Sequence, residues 1–133
     1  MPVLLDVGAT LPGLHAGAAP PAPQRVALEA YPGLLARELL GVARSYKSDD
    51  TAKQTPERWL ARKDLLTALE QGRTRLGLRL KLSPAQADGL LADASGDRLD
   101  AVLCLLQVAW GVGRPNFGLP DRVDPLEGWI VSA

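Results

Sequence analysis

The sequence predicts an α/β fold, and three observations predict it. Residues 72–83, GRTRLGLRLKLS, alternate with a period of two. Thr74, Leu76, Leu78, Leu80 and Leu82 fall on one face, and Arg73, Arg75, Gly77, Arg79 and Lys81 on the other. Strict alternation is the mark of a strand with one buried and one wet face. Residues 56–72, PERWLARKDLLTALEQG, instead repeat at helical spacing through Ala61, Leu65, Ala68 and Leu69. Short apolar runs closed by an acid, such as PVLLD at 2–6, read as further strands, so strand-like and helix-like stretches alternate along the chain.

Taken in order, PVLLD is a predicted strand. Residues 8–23 are rich in Gly, Ala and Pro and include APPAP at 19–23, which forbids a helix or a central strand and predicts a flexible loop. QRVALEAYP, 24–32, is a second strand, with Val26 and Leu28 alternating with Ala27 and Glu29. GLLARELLG, 33–41, is a short helix after Pro32, with Leu34, Leu35, Leu39 and Leu40 on one broad face. SYKSDD at 45–50 is a polar loop. Thr55 and Pro56 open the long helix, and Gly72 closes it. The alternating strand comes next. Ser83 then caps a helix with Pro84 in its first turn, and a further helix covers about Asp97 to Trp110. Residues 113–125 read as loop and EGWIVSA as a terminal strand or tail.

A length of 133 residues predicts a single domain, 1–133, large enough for a core without disulfides. Fifteen basic and fifteen acidic residues leave no net charge, so nucleic-acid binding would need a local basic patch. Cys104 stands alone in an apolar run and reads as a core residue. No apolar stretch reaches the roughly 20 residues of a membrane span. No Lys or Arg precedes Arg25, which speaks against a secretory signal and for the cytoplasm.

The stretch SGDRLDAVLCLLQVAWG, 95–111, carries the main chemical question. Asp97 and Asp100 stand three apart at the head of an apolar helix. One reading is a near capping box, both acids favouring the positive helix end. The other is a pair of hard ligands on one helix face, with a strand-borne acid opposite, for Mg²⁺ or Mn²⁺. Glu29 is that strand-borne candidate, against a solvent-facing strand end. Asp6 is a further candidate ligand, against a turn-forming Asp; its DVGAT context also has a weak likeness to a phosphate loop of actin-like phosphotransferases. Arg73, Arg75, Arg79 and Lys81, with Lys47 of the SYK loop, could meet a nucleic-acid backbone, against an edge strand protected by charge. Arg58 and Arg62 could join them. His15 has no Cys or His near it in sequence, which argues against zinc.

EAYPG at 29–33, ARELLG at 36–41, SYKSD at 45–49, the helix of Arg58 and Arg62, GDRLDAVLCLLQVAW at 96–110 and DPLEGWIV at 124–131 come in that order. Together with PVLLDVGATLPG at 2–13, this succession resembles the family catalogued as domain of unknown function 429, described as predicted RNase H-like nucleases. Members begin with a Gly-rich strand bearing a first acid, so the chain resembles the C-terminal part of such a domain or a short form of it. The resemblance implies a three-layer RNase H-like fold, incomplete at its N-terminal strands. It implies metal-dependent phosphodiester hydrolysis, with Glu29, Asp97 and Asp100 as the catalytic and metal-holding acids. A sheet lacking strands would also invite a homodimer or a sheet-completing partner, which makes a non-catalytic interaction module the alternative expectation.

Overall fold

Helices supply the regular structure of this chain. The computed structural model describes residues 2–15 and 25–133. Its helices are α1 (Pro2–Asp6), α2 (Pro32–Leu40), α3 (Pro56–Glu70), α4 (Pro84–Ala92) and α5 (Asp97–Val112). Short 3₁₀ turns occur at Thr51–Lys53 and Pro115–Gly118. Among the described residues there is no sheet, and extended pairing is limited to isolated bridges. This overturns the α/β, three-layer RNase H-like expectation. It also removes the sheet edge on which a sheet-completing partner was expected to pair.

Each missing strand has a local reason. PVLLD forms α1, because a five-residue apolar run carries no period that separates strand from helix. Directly after α1 comes a helix stop. Gly8 N–H bonds to Leu5 C=O at 2.9 Å and Ala9 N–H to Leu4 C=O at 3.0 Å, with Gly8 at φ 68°. This is a Schellman ending, which needs a left-handed residue at its apex. The D-x-G of DVGAT is thereby explained as a helix terminus. The described residues 25–32 contribute two parallel bridges, Val26 to Thr10 and Glu29 to Ile130, and EGWIVSA adds to the latter only the local Asp124–Gly128 bridge. Residues 8–15 of the expected flexible loop are held by turns, including the Leu11–His15 bridge; residues 16–24 lie outside the described residues.

Residues 72–83 are the sharpest correction. Burial alternates as the sequence requires: Arg73, Arg75, Gly77, Arg79 and Lys81 are exposed, Leu76 is buried, and Leu78, Leu80 and Leu82 are half-buried. Yet the segment is irregular and joins no ladder. Gly72 and Arg73 N–H close the end of α3 on the Leu69 and Ala68 carbonyls, and beyond them the backbone touches α3 through Leu80 N–H to Leu69 C=O at 3.0 Å. A period of two reports which side chains are buried; it does not report a hydrogen-bonded neighbour.

Two compact units make up the chain, where the sequence reading treats 1–133 as one domain. The first comprises Met1–Ala30 and Gln107–Ala133, the second Tyr31–Leu106. In the second unit α3 packs against α2 and α4. Leu35 of α2, Ala61, Leu65 and Leu69 of α3, and Leu99 and Leu103 of α5 are fully buried. Burying each leucine contributes on the order of 2 kcal/mol. Helix α4 opens with a complete capping box: the Ser83 hydroxyl accepts the Gln86 N–H at 3.2 Å, and the Ser83 N–H donates to Gln86 Oε1 at 2.9 Å. Thr55 stands at the N-cap of α3 without capping it; its hydroxyl instead bonds to Glu57.

In the first unit, Gln107 is fully buried and donates to the Ser132 hydroxyl at 3.1 Å and the Val131 carbonyl at 3.4 Å. A buried amide satisfied in this way fixes the C-terminal residues against the end of α5. Arg114 lies over the Trp110 ring, 4.3 Å from its centroid, at the start of a turn in which Asn116 and Phe117 adopt φ of 48° and 56°. Asp124 accepts the Leu126 and Glu127 N–H groups at 2.8 and 3.0 Å, closing the DPLEG turn. Those two bonds hold the Asp124 carboxyl below the usual carboxylate range, Glu127 N–H contributing most.

Candidate functional site

Arg58, Arg62, Lys47 and Asp100 of the second unit meet at the loop Ser45–Ser48. Arg62, on α3, is only 4% exposed. Its Nε donates to the Leu91 carbonyl and its Nη1 to the Tyr46 carbonyl, both at 2.9 Å. Burial pulls the guanidinium below its ordinary value, opposed by the nearby Asp93 charge. Arg58, one turn earlier, donates to the Lys47 carbonyl, as does the Ser45 hydroxyl. Ser48 N–H bonds to Ala94 C=O at 3.1 Å. Both arginines therefore build the loop, and their guanidinium groups turn to its carbonyls.

Asp100, in the first turn of α5, faces the same loop. Its two oxygens accept from the Tyr46 hydroxyl and the Lys47 ammonium. The carboxylate is 17% exposed and the lysine side chain 40%. The Asp100 hydrogen bond chiefly raises Lys47, and burial first, then Asp100, raises Tyr46. Cys104, one helical turn on, is half-buried, and burial pushes its thiol up. Gly96 permits this contact. It has φ 77°, and a Cβ there would lie 2.6 Å from Lys47 Cβ. The helix is capped by Asp93, whose oxygen accepts the Arg98 N–H at 2.9 Å; that bond is the main reason its carboxyl sits below the usual range. Asp97 is an exposed first-turn residue and Asp100 a largely buried partner of a cation, so neither is the cap that their spacing suggests.

Lys47 and Tyr46 favour their protonated forms in the folded chain, which sets a sign. Their contribution is complete below the unfolded values and lost as pH rises through the raised folded ones. Stability is expected to fall as pH climbs above about 10. A Tyr46→Phe, Lys47→Met double variant should show a shallower alkaline fall in a circular-dichroism titration. An identical slope in both proteins would remove the pair as its cause.

Beside this loop lies an open cleft of about 340 Å³ between α2 and residues 41–47. Tyr31, Arg37, Arg44, Tyr46 and Lys47 line it, and among the described residues no carboxylate does. Arg37 donates to the Tyr31 hydroxyl at 3.0 Å, and its guanidinium carbon lies 5.5 Å from that ring's centroid. Gly33 leaves room for the ring: a Cβ there would sit 2.8 Å from Tyr31 Cζ. Arg44 pairs with Asp64 at 2.7 Å, an exposed pair of small energetic weight. Sequence reasoning missed Tyr31, Arg37 and Arg44, because an exposed arginine on a helix looks the same in sequence whether or not it lines a cleft.

The other expected site residues are dispersed. Arg75 pairs with Glu38 at 2.8 Å, and Arg79 donates to the Glu70 carbonyl at 3.1 Å. Arg73 and Lys81 are exposed. Glu29 and Asp6 belong to the first unit, whereas Asp97 and Asp100 belong to the second. Asp6 is the exposed last residue of α1. No group of three or more His, Cys, Asp or Glu side chains that could hold a metal occurs among the described residues. With both Asp100 oxygens engaged by a phenol and an ammonium, the donor set does not fit a shared Mg²⁺ or Mn²⁺ site. No helix among the described residues is long and apolar enough to cross a membrane.

No protein-family model, curated protein or solved structure matches the chain, so the resemblance to domain of unknown function 429 rests on its sequence motifs alone.

Proposed function

We propose that the chain binds single-stranded nucleic acid through the cleft of Tyr31, Arg37, Arg44 and Lys47. The observation that carries this reading is the composition of that cleft: three cations and two phenol rings, with no carboxylate among the described residues of its lining. Single strands are held by a cationic groove that tracks phosphates and by aromatic faces on which bases stack. Tyr31, 39% exposed and backed by Arg37, is the stacking plate. Arg44 and Lys47 meet phosphates, and Arg44 exchanges Asp64 for a phosphate at little cost because that pair is exposed. The locked Ser45–Ser48 loop holds Lys47 in position for this, which lowers the ordering cost of binding.

Fluorescence anisotropy with a labelled thymidine oligonucleotide of about 12 nucleotides tests the reading. Two phosphate contacts predict a log–log salt slope of about −1.4. Tyr31→Ala should weaken binding by roughly fivefold or more. Joint Arg37→Ala and Arg44→Ala substitution should flatten the salt slope. Absent binding, or binding that ignores these three side chains, would sink the proposal. The same oligonucleotide is expected to stay intact with Mn²⁺ on a denaturing gel. Shortening that Glu29→Gln abolishes would put hydrolysis in place of binding.

A further inference from the structure

We infer that the first unit holds a second site, a cavity that takes a small apolar amine. The cavity measures about 330 Å³ and is walled by Leu4, Leu11, Leu28 and Leu119, with Glu29 and Trp129 at its polar side. Its size is at the lower end for small-molecule sites, room for one ring and a short chain. Among the described residues, Glu29 is the one ionisable group in the lining, and no basic residue lines it. The Glu29 carboxylate has no ion-pair or hydrogen-bond partner among the described residues, while Arg25, on the same segment, is engaged by the Val7 carbonyl at 3.3 Å. An open apolar cleft edged by the exposed Glu29 carboxylate, the one ionisable group of its described lining, is complementary to an apolar ligand bearing one positive charge.

Backbone pairing holds the two polar groups together. The Glu29 carbonyl accepts the Val131 N–H at 2.7 Å, and Glu29 bridges Ile130, which places Trp129 on the neighbouring segment. Gly128 keeps space beside the acid: a Cβ there would lie 3.3 Å from Glu29 Oε2. The half-exposed Trp129 lines the cavity beside Glu29, so an ammonium held by the carboxylate comes within reach of an aromatic ring.

Calorimetric titration of the full chain with 2-phenylethylamine, 2-phenylethanol and phenylacetate tests this assignment. The amine should bind roughly tenfold tighter than the alcohol, the sum of one exposed ion pair and one cation–π contact. Phenylacetate should not bind. Glu29→Gln should erase the difference between amine and alcohol, and the amine should shift the Trp129 indole resonance. Leu14→Lys, at a wall residue 41% exposed, supplies an ammonium from within and should block the amine with the circular-dichroism spectrum unchanged. Equal binding of amine and alcohol, no binding of the amine, or indifference to Glu29→Gln and Leu14→Lys would each overturn it.

Discussion

Arg62→Met is expected to lower the unfolding free energy by about 3 kcal/mol, and Arg62→Lys by nearly as much. The guanidinium spans two carbonyls from different parts of the second unit, Tyr46 and Leu91, at 2.9 Å each. A methionine fills the volume but leaves both oxygens without a donor in a buried setting, and each such orphan costs about 1–3 kcal/mol. A lysine keeps the charge but cannot present two donors in a fixed plane, so it saves one bond at most. Urea denaturation followed by circular dichroism reads the difference. A loss below about 1 kcal/mol for Arg62→Met would mean that water replaces the guanidinium, and that the arginine is not the keystone of the loop.

Asp100→Asn has the next largest expected effect. An asparagine keeps the shape and can still accept from Tyr46, but it loses the charge that holds Lys47. The expected loss is about 2 kcal/mol, discounted from a fully buried pair because the Lys47 side chain is 40% exposed. A double-mutant cycle with Lys47→Met isolates the pair and should return a coupling of about 1 kcal/mol. The experiment also separates two roles for the acid. A carboxylate kept for a metal ion is relieved by neutralisation, and the variant would then be as stable as the parent or more so, with no coupling to Lys47.

Four of the five helices, α2 to α5, are legible in the sequence; α1 is not, and the expected strands do not form. Pro32, Pro56 and Pro84 mark first turns, and Ser83 marks a cap that the structure contains. These are local signals whose energetics are settled within one turn of chain. Strand pairing is a long-range event, and neither PVLLD nor GRTRLGLRLKLS carries information about a partner. Alternation in the second stretch reports burial correctly and pairing wrongly. The site is legible in part. Asp100 and Lys47 stand out as chemistry-bearing residues, but sequence does not show that they meet each other. Arg58 and Arg62 read as candidates to face a polyanion and in the structure face carbonyls, because a helix repeat fixes an angular position and not the neighbour waiting there.

The irregular segment 72–83 has a consequence for how freely the chain can change. Between Leu78 and Leu82 the backbone depends on one hydrogen bond, from Leu80, and on its leucines for anchorage. Its outward side chains are therefore not rungs of anything. Arg73 and Lys81 could be exchanged, reversed in sign or made neutral without disturbing a ladder, and Arg75 would give up only its exposed pair with Glu38. The surface charge of the second unit can thus be rewritten here one residue at a time, with the core beneath it left as it is.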